Sequence, residues 1–292
     1  MIQLDQAEVS WALNAHCGHK CSYCHSQYSG GELDKSVDQY LAIIKKLQDT
    51  RYQHHSKIYW KISGGEPLHF PHLSTVLKKM KEKPCVIRLD TSGDDNWFSL
   101  YGVINLIDKI KLTYHSWQND DVFGFVLEQC QEKNVSVTIE VPLLPGAIVE
   151  SRAKVKHFVD LGYVCNEQVL RDLGGDLHRG YSQLDENRIY GRPDDWEPEL
   201  VVYNPNLPDP NYVDLSTVNN TDPVYTGMPC YAGVDWLYIN PRGFASYSQC
   251  GGRNEHFNAF DPAWQPPSNS FPCTVNQCRS EQDRTKIRIH NS

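Results

Sequence analysis

The chain has 292 residues, 40% hydrophobic and 22% charged, enough for one large globular domain plus a smaller module, and this composition excludes disordered, collagen-like and coiled-coil chains. Its longest apolar runs, such as residues 41–44 and 141–144, are far shorter than a membrane span of roughly 20 residues. A formal charge of -8, from 28 basic and 36 acidic residues, provides no field for phosphate backbones, so nucleic acid is not an expected partner.

The first 14 residues carry Asp5 and Glu8 and lack the basic and apolar regions of a signal peptide, so the expected location is cytoplasmic. Residues 11–14 read as a first strand, and residues 37–47 place Val37, Tyr40, Leu41, Ile44 and Leu47 at amphipathic-helix spacing. Strands are expected at 58–63, 85–91, 110–114 and 135–141, with helices at 73–81, 97–107, 122–133 and 155–161 and a last extended run at 164–170. Six β-then-α steps in succession predict an α/β fold, a partial (β/α)6 TIM-like barrel of parallel strands spanning residues 1–171. Residues 172–228 are rich in Gly, Pro, Asn and Asp without periodicity, too long for a simple connection, and are expected to form a bridge or lid. Within 229–292, two short strand-like runs flank Asn240-Pro241-Arg242-Gly243, the pattern of a hairpin in a small C-terminal β-hairpin/loop module. The basic residues Arg279, Arg284, Lys286, Arg288 and His290 near the end read as a solvated tail.

Ten cysteines are more than a chain of this size needs for packing, and a disulfide framework suits small secreted scaffolds instead. Cys17, Cys21 and Cys24 form Cys-x3-Cys-x2-Cys on a loop just after the first strand. Three thiolates so spaced can hold three irons of a cubane cluster and leave the fourth open to a ligand, or contribute to a zinc knuckle. Cys85, Cys130 and Cys165 fall inside predicted elements and read as packing thiols.

This spacing, with Tyr23 before the last cysteine, resembles the signature of the radical S-adenosylmethionine enzymes. About forty residues on, Ser63-Gly64-Gly65-Glu66-Pro67 resembles that family's Gly-Gly-Glu-Pro motif. The resemblance implies a [4Fe-4S] cluster on Cys17, Cys21 and Cys24, whose open iron chelates S-adenosylmethionine and cleaves it reductively to a 5′-deoxyadenosyl radical. It further implies that Tyr23 packs by the adenine and that the Gly64-Gly65 turn and Glu66 hold the methionine ammonium. Thr91-Ser92-Gly93 resembles the family's third-strand turn, with Ser92 in place of its Asn. His115 and Ser116 after the fourth strand, Glu140 on the fifth for ribose hydroxyls, and Arg171 after the sixth for the carboxylate complete the implied cofactor set.

Cys230, Cys250, Cys273 and Cys278 resemble the ligands of the twitch module, the short relative of SPASM domains that carry an auxiliary cluster. Four thiolates would close the coordination sphere of a second [4Fe-4S] cluster, whose role would be electron transfer; a structural zinc site is the other reading of the same residues. The resemblance implies an enzyme that abstracts hydrogen from a peptide side chain or a small sugar-like or aminocyclitol-like molecule, supplied with electrons by a flavodoxin or ferredoxin. The sixteen residues ahead of Cys17 are too few for a leader-peptide-binding domain, which disfavours the peptide without excluding a separate recognition protein. A non-enzymatic metal-binding module and a two-cluster electron carrier are the alternatives, and no catalytic acid or base is assigned.

Overall fold

The computed structural model describes residues 6–19, 21–24, 35–93, 97–171, 177–192, 194, 229–230, 232–247, 257–269 and 271–272. Strands β1 (Gln6–Ala12), β2 (Lys57–Ser63), β3 (Cys85–Thr91), β4 (Lys109–Thr113), β5 (Ser136–Leu143) and β6 (Val164–Val169) are laid parallel, each beside the next. Helices α1 (Val37–Arg51), α2 (Leu73–Met80), α3 (Trp97–Val103), α4 (Asp120–Glu132) and α5 (Ile148–Asp160) make the successive connections. Parallel neighbours require such crossovers, and the strict β-then-α alternation of the sequence has this origin.

Alternation within each strand separates two faces. Val9, Trp11, Ile58, Trp60, Ile62, Ile87, Leu89, Ile110, Leu112 and Ile139 are buried in one core with Tyr40, Ile43, Ile44 and Leu47 of α1, Val76, Leu77 and Met80 of α2, and Phe123 and Val126 of α4. These helical residues recur three and four positions apart, the stripe an α-helix presents to a sheet. Helix starts are marked chemically: the Asn119 side chain accepts from the backbone N–H groups of Asp121 (2.8 Å) and Val122 (3.3 Å) ahead of α4.

Three boundaries differ from the sequence reading. Strand β1 begins at Gln6 and ends at Ala12, because Leu13 and Asn14 bond to the turn after β2. Helix α3 gives way at Val103 to a 3₁₀ turn (Ile104–Leu106). Helix α5 starts at Ile148, seven residues before the expected position, following the Gly146 turn, whose N–H donates to both carboxylate oxygens of Asp185 at 3.1 Å. Asp185 belongs to α6 (Gln183–Ile189), a short helix after β6.

The C-terminal strands join the same sheet. Besides β7 (Pro229–Cys230) and β11 (Phe271–Pro272), which pair with each other, the chain forms β8 (Trp236–Ile239), β9 (Phe244–Ser246) and β10 (Phe257–Asn258). Strand β8 lies parallel to β1 and antiparallel to β9, giving nine strands in the order β10-β9-β8-β1-β2-β3-β4-β5-β6. The expected hairpin is thus present, its turn closed by Gly243 N–H to Asn240 O at 2.9 Å, with Gly243 at φ +84° where a Cβ would strike the Phe260 ring. Among the described residues the sheet is open, with β6 and β10 as its edges. Helix α1 fastens the C-terminal segment: buried Arg51 donates to the carbonyls of Pro267 (2.7 Å) and Gly233, and Lys46 to those of Pro262 and Trp264 (both 2.8 Å). No helix among the described residues is long and apolar enough to cross a membrane.

Candidate functional site

The loop that leaves β1 and the turn that leaves β2 are stitched together at the carboxyl edge of the sheet. Leu13 N–H donates to Ser63 O, Gly65 N–H to Asn14 O and Glu66 N–H to His16 O, each at 2.8 Å, while the Asn14 side chain donates back to Glu66 O at 3.3 Å. Gly64 adopts φ +150°, and a Cβ there would sit 2.6 Å from Asn14 O, so this close approach requires glycine. The turn at Ser63–Glu66 is therefore joined to residues 13–16, the segment that leads directly into Cys17.

Glu66 is 2% exposed, and its carboxylate is occupied by the protein itself. One oxygen accepts from Leu68 N–H (2.9 Å) and the Thr91 hydroxyl (2.5 Å); the other accepts from Ser92 N–H (2.9 Å) and the Ser92 hydroxyl (2.7 Å). A carboxylate has about four lone-pair directions, and four donors fill them. Through these bonds Glu66 joins the β2 turn to the end of β3. Pro67 is buried at the start of the following 3₁₀ turn, Pro67–His69. Ser63, Gly64 and Gly65 are half-buried, and Ser92 is buried with its carbonyl accepting from the Gln118 side chain at 2.7 Å.

Cys17 and Cys21 are half-buried and Cys24 is exposed. Burial raises the Cys24 thiol above its ordinary value, and the neighbouring Cys21 and Cys17 raise it further, so the three sulfurs lie within electrostatic reach of one another. Such thiols stay protonated by themselves, and a shared cation would be needed to hold them together as thiolates. Among the described residues, no three His, Cys, Asp or Glu side chains converge to hold a single metal ion. A cubane would instead take one thiolate for each of three irons, and Cys17, Cys21 and Cys24 are the residues that would supply them.

Tyr23, His115 and Ser116 line one cavity of about 200 Å³, together with Val141, Leu144 and Lys154 among others, at the carboxyl ends of β4 and β5. The Tyr23 hydroxyl lies 2.6 Å from Nδ1 of His115. Burial, and then the charges of Cys21 and Cys24, push the Tyr23 phenol well up, so it keeps its proton and donates. Burial, followed by nearby His19, holds His115 down at about 4; its imidazole is neutral, with Nδ1 the acceptor. Glu140 is not in this cavity: it pairs with Lys111 at 2.9 Å on the sheet face away from the helices. Arg171 is exposed beyond β6, bridged to Leu177, and also stands outside the cavity.

Cys230 lies in β7, opposite Phe271 of β11, while Cys250, Cys273, Cys278 and the basic tail fall outside the described residues. Cys130 is buried and Cys85 and Cys165 half-buried; burial pushes their thiols up to about 12, 11 and 11, as suits protonated packing groups. Sequence reasoning passed over Asn14, His19, Trp117 and Gln118. Aromatic and amide side chains on the segment just after β4 were the available signal, since loops at strand ends carry function more often than packing.

No protein-family profile matches the chain, and no curated protein matches it. Solved structures do share its fold. Streptococcus suis SuiB bound to S-adenosylmethionine aligns with a TM-score of 0.53 at 13% identity, over 88% of this chain and 64% of SuiB. SuiB bound to precursor peptide SuiA aligns with a TM-score of 0.56 at 13% identity, over 88% of this chain and 63% of SuiB. The chain thus spans a little under two thirds of the length of these neighbours.

Proposed function

We propose that the chain is a radical S-adenosylmethionine enzyme. One observation carries this reading: Ser63, Gly65 and Glu66 of the glycine turn are bonded four times to residues 13–16, the segment that leads into the Cys-x3-Cys-x2-Cys loop, and Tyr23 of that loop lines a cavity with His115. The fold shared with SuiB, whose structure holds S-adenosylmethionine, supports the same reading. Cys17, Cys21 and Cys24 are the ligands of a [4Fe-4S] cluster. When bound, that cluster supplies the electron for reductive cleavage of S-adenosylmethionine to a 5′-deoxyadenosyl radical. Tyr23, His115 and Ser116 receive the adenosyl portion, whose flat adenine suits the aromatic rings of the cavity and whose ribose hydroxyls suit its polar side chains. The turn at Gly64 and Gly65 brings backbone close to the methionyl end, and Glu66 keeps that turn in place.

Cys230, Cys250, Cys273 and Cys278 hold an auxiliary [4Fe-4S] cluster that accepts or relays an electron, and a flavodoxin or ferredoxin of the cytoplasm reduces the enzyme. The substrate is a peptide side chain or a small sugar-like molecule; the precursor peptide bound by SuiB favours the former. Anaerobically prepared protein should contain about eight iron and eight sulfide per chain, and replacement of Cys17, Cys21 and Cys24 together by Ala should leave about half. With reductant and S-adenosylmethionine the wild type should release 5′-deoxyadenosine and the triple variant none. Zinc near one per chain in place of iron, or turnover surviving in the triple variant, would overturn the assignment.

A further inference from the structure

Trp117, on the segment after β4, is 47% exposed, yet two imidazoles stack on its indole. His115 stacks on it with centroids 5.1 Å apart and planes 5° from parallel, and His19 stacks on it at 4.2 Å and 26°. His19 lies between Cys17 and Cys21, and His115 meets Tyr23, the neighbour of Cys24, through the 2.6 Å hydrogen bond. The segment itself is anchored: His115 N–H donates to the Gln118 side chain at 2.7 Å, and Gln118 donates to Ser92 O at 2.7 Å. One short stretch of chain, fixed to the end of β3, thus grips the cysteine loop at two points.

We propose that Trp117 is a positioning residue that clasps the cysteine loop and slows loss of the metal the loop holds. The proposal rests on reading Cys17, Cys21 and Cys24 as cluster ligands. Iron would leave a cubane when a thiolate swings away, and the stack on His19, two residues before Cys21, would oppose that swing. An exposed tryptophan stabilises the global fold little, so the stack's main consequence is local, on the one loop it touches.

The test compares wild type, Trp117→Ala and Trp117→Phe, each loaded anaerobically and then mixed with a strong ferrous chelator. The loop's component of iron release is the one missing from the Cys17/Cys21/Cys24→Ala variant. Trp117→Ala should speed that component roughly three- to tenfold, the scale of an aromatic stacking contact, while Trp117→Phe, which still offers a ring to both imidazoles, stays within about twofold. In iron-free protein, the ring-proton resonances of His19 should lose their indole-induced upfield shift in Trp117→Ala while the thermal midpoint remains that of wild type. Release of the loop component at the wild-type rate overturns the clasp and leaves the cluster reading standing. Equal acceleration of every component, or a lowered thermal midpoint, also overturns it, as general loosening. A wild type with no loop component overturns the cluster reading and the clasp with it.

Discussion

Replacing Glu66 by Gln changes one atom and removes one charge, and the structure fixes what should follow. The four donors converging on the carboxylate are two hydroxyls, of Thr91 and Ser92, and two backbone N–H groups, of Leu68 and Ser92. A glutamine presents one oxygen and one NH2. Whichever way the amide is turned, the NH2 faces one hydroxyl and one N–H. The hydroxyl can rotate to accept, but the N–H cannot, and it is left buried without an acceptor. Orphaning such a group costs about 1–3 kcal/mol, and the remaining bonds lose their charge assistance, so a loss of roughly 2–4 kcal/mol is expected. Urea unfolding of the iron-free protein measures it, followed by tryptophan fluorescence. Stability within about 0.5 kcal/mol of wild type, combined with S-adenosylmethionine affinity reduced about tenfold at normal iron content, would show that the carboxylate serves the ligand and that its protein bonds are incidental.

Two further outcomes follow from buried groups. Arg51 lies fully buried, its guanidinium held down to about 10 by burial against the raising effect of Asp235 and Tyr247, and it donates to the carbonyls of Pro267 and Gly233. Arg51→Met should cost roughly 2–4 kcal/mol and raise hydrogen exchange across residues 232–247; exchange unchanged there would sink the idea that α1 fastens the C-terminal strands. For His115, burial and His19 hold the folded value at about 4, below the ordinary value near 6.5. The unfolded chain therefore takes up this proton first as pH falls, and the residue's contribution to stability, full above about 6.5, is lost between about 6.5 and 4. Nuclear magnetic resonance of the iron-free protein should find the His115 midpoint near the lower figure; a midpoint between 6 and 7 contradicts it.

What was legible in the sequence was what local pattern controls. Lys57–Ser63 alternates apolar and polar residues, and β2 is there; Tyr40, Ile44 and Leu47 mark the buried side of α1. The start of α5 was not, because Ile148 and Val149 read as strand residues by type, whereas the turn at Gly146 and the Asp185 carboxylate forty residues on decide the matter. The pairing of β8 with β1 had no local signal either, since parallel neighbours 228 residues apart share no turn. Glu66 shows the limit most plainly. A carboxylate beside two glycines gives no local sign of Thr91 and Ser92, whose donors reach it from the end of β3.

The polar face of the sheet carries a row of paired charges. In a closed eight-stranded barrel this face is filled by branched apolar side chains in layers. Here it carries Glu8 paired with Lys61 (2.6 Å), Arg88 with Asp90 (2.7 Å), and Lys111 with both Glu140 (2.9 Å) and Asp90 (3.5 Å), each side chain between 16% and 26% exposed. Six charges sealed from water would be costly even when paired, so the face belongs to an open sheet with solvent access. The row's three acids and three bases pair among themselves, and Lys109, whose Nζ lies 5.6 Å from the centre of the Tyr59 ring on the same face, adds a further cation. Lys111 is the sharpest probe of this reasoning. Lys111→Met leaves Asp90 and Glu140 facing each other across β4 without their shared cation. The variant should therefore unfold at lower urea, with a loss of about 1–3 kcal/mol, and a loss below about 0.5 kcal/mol would show that the row is not electrostatically coupled.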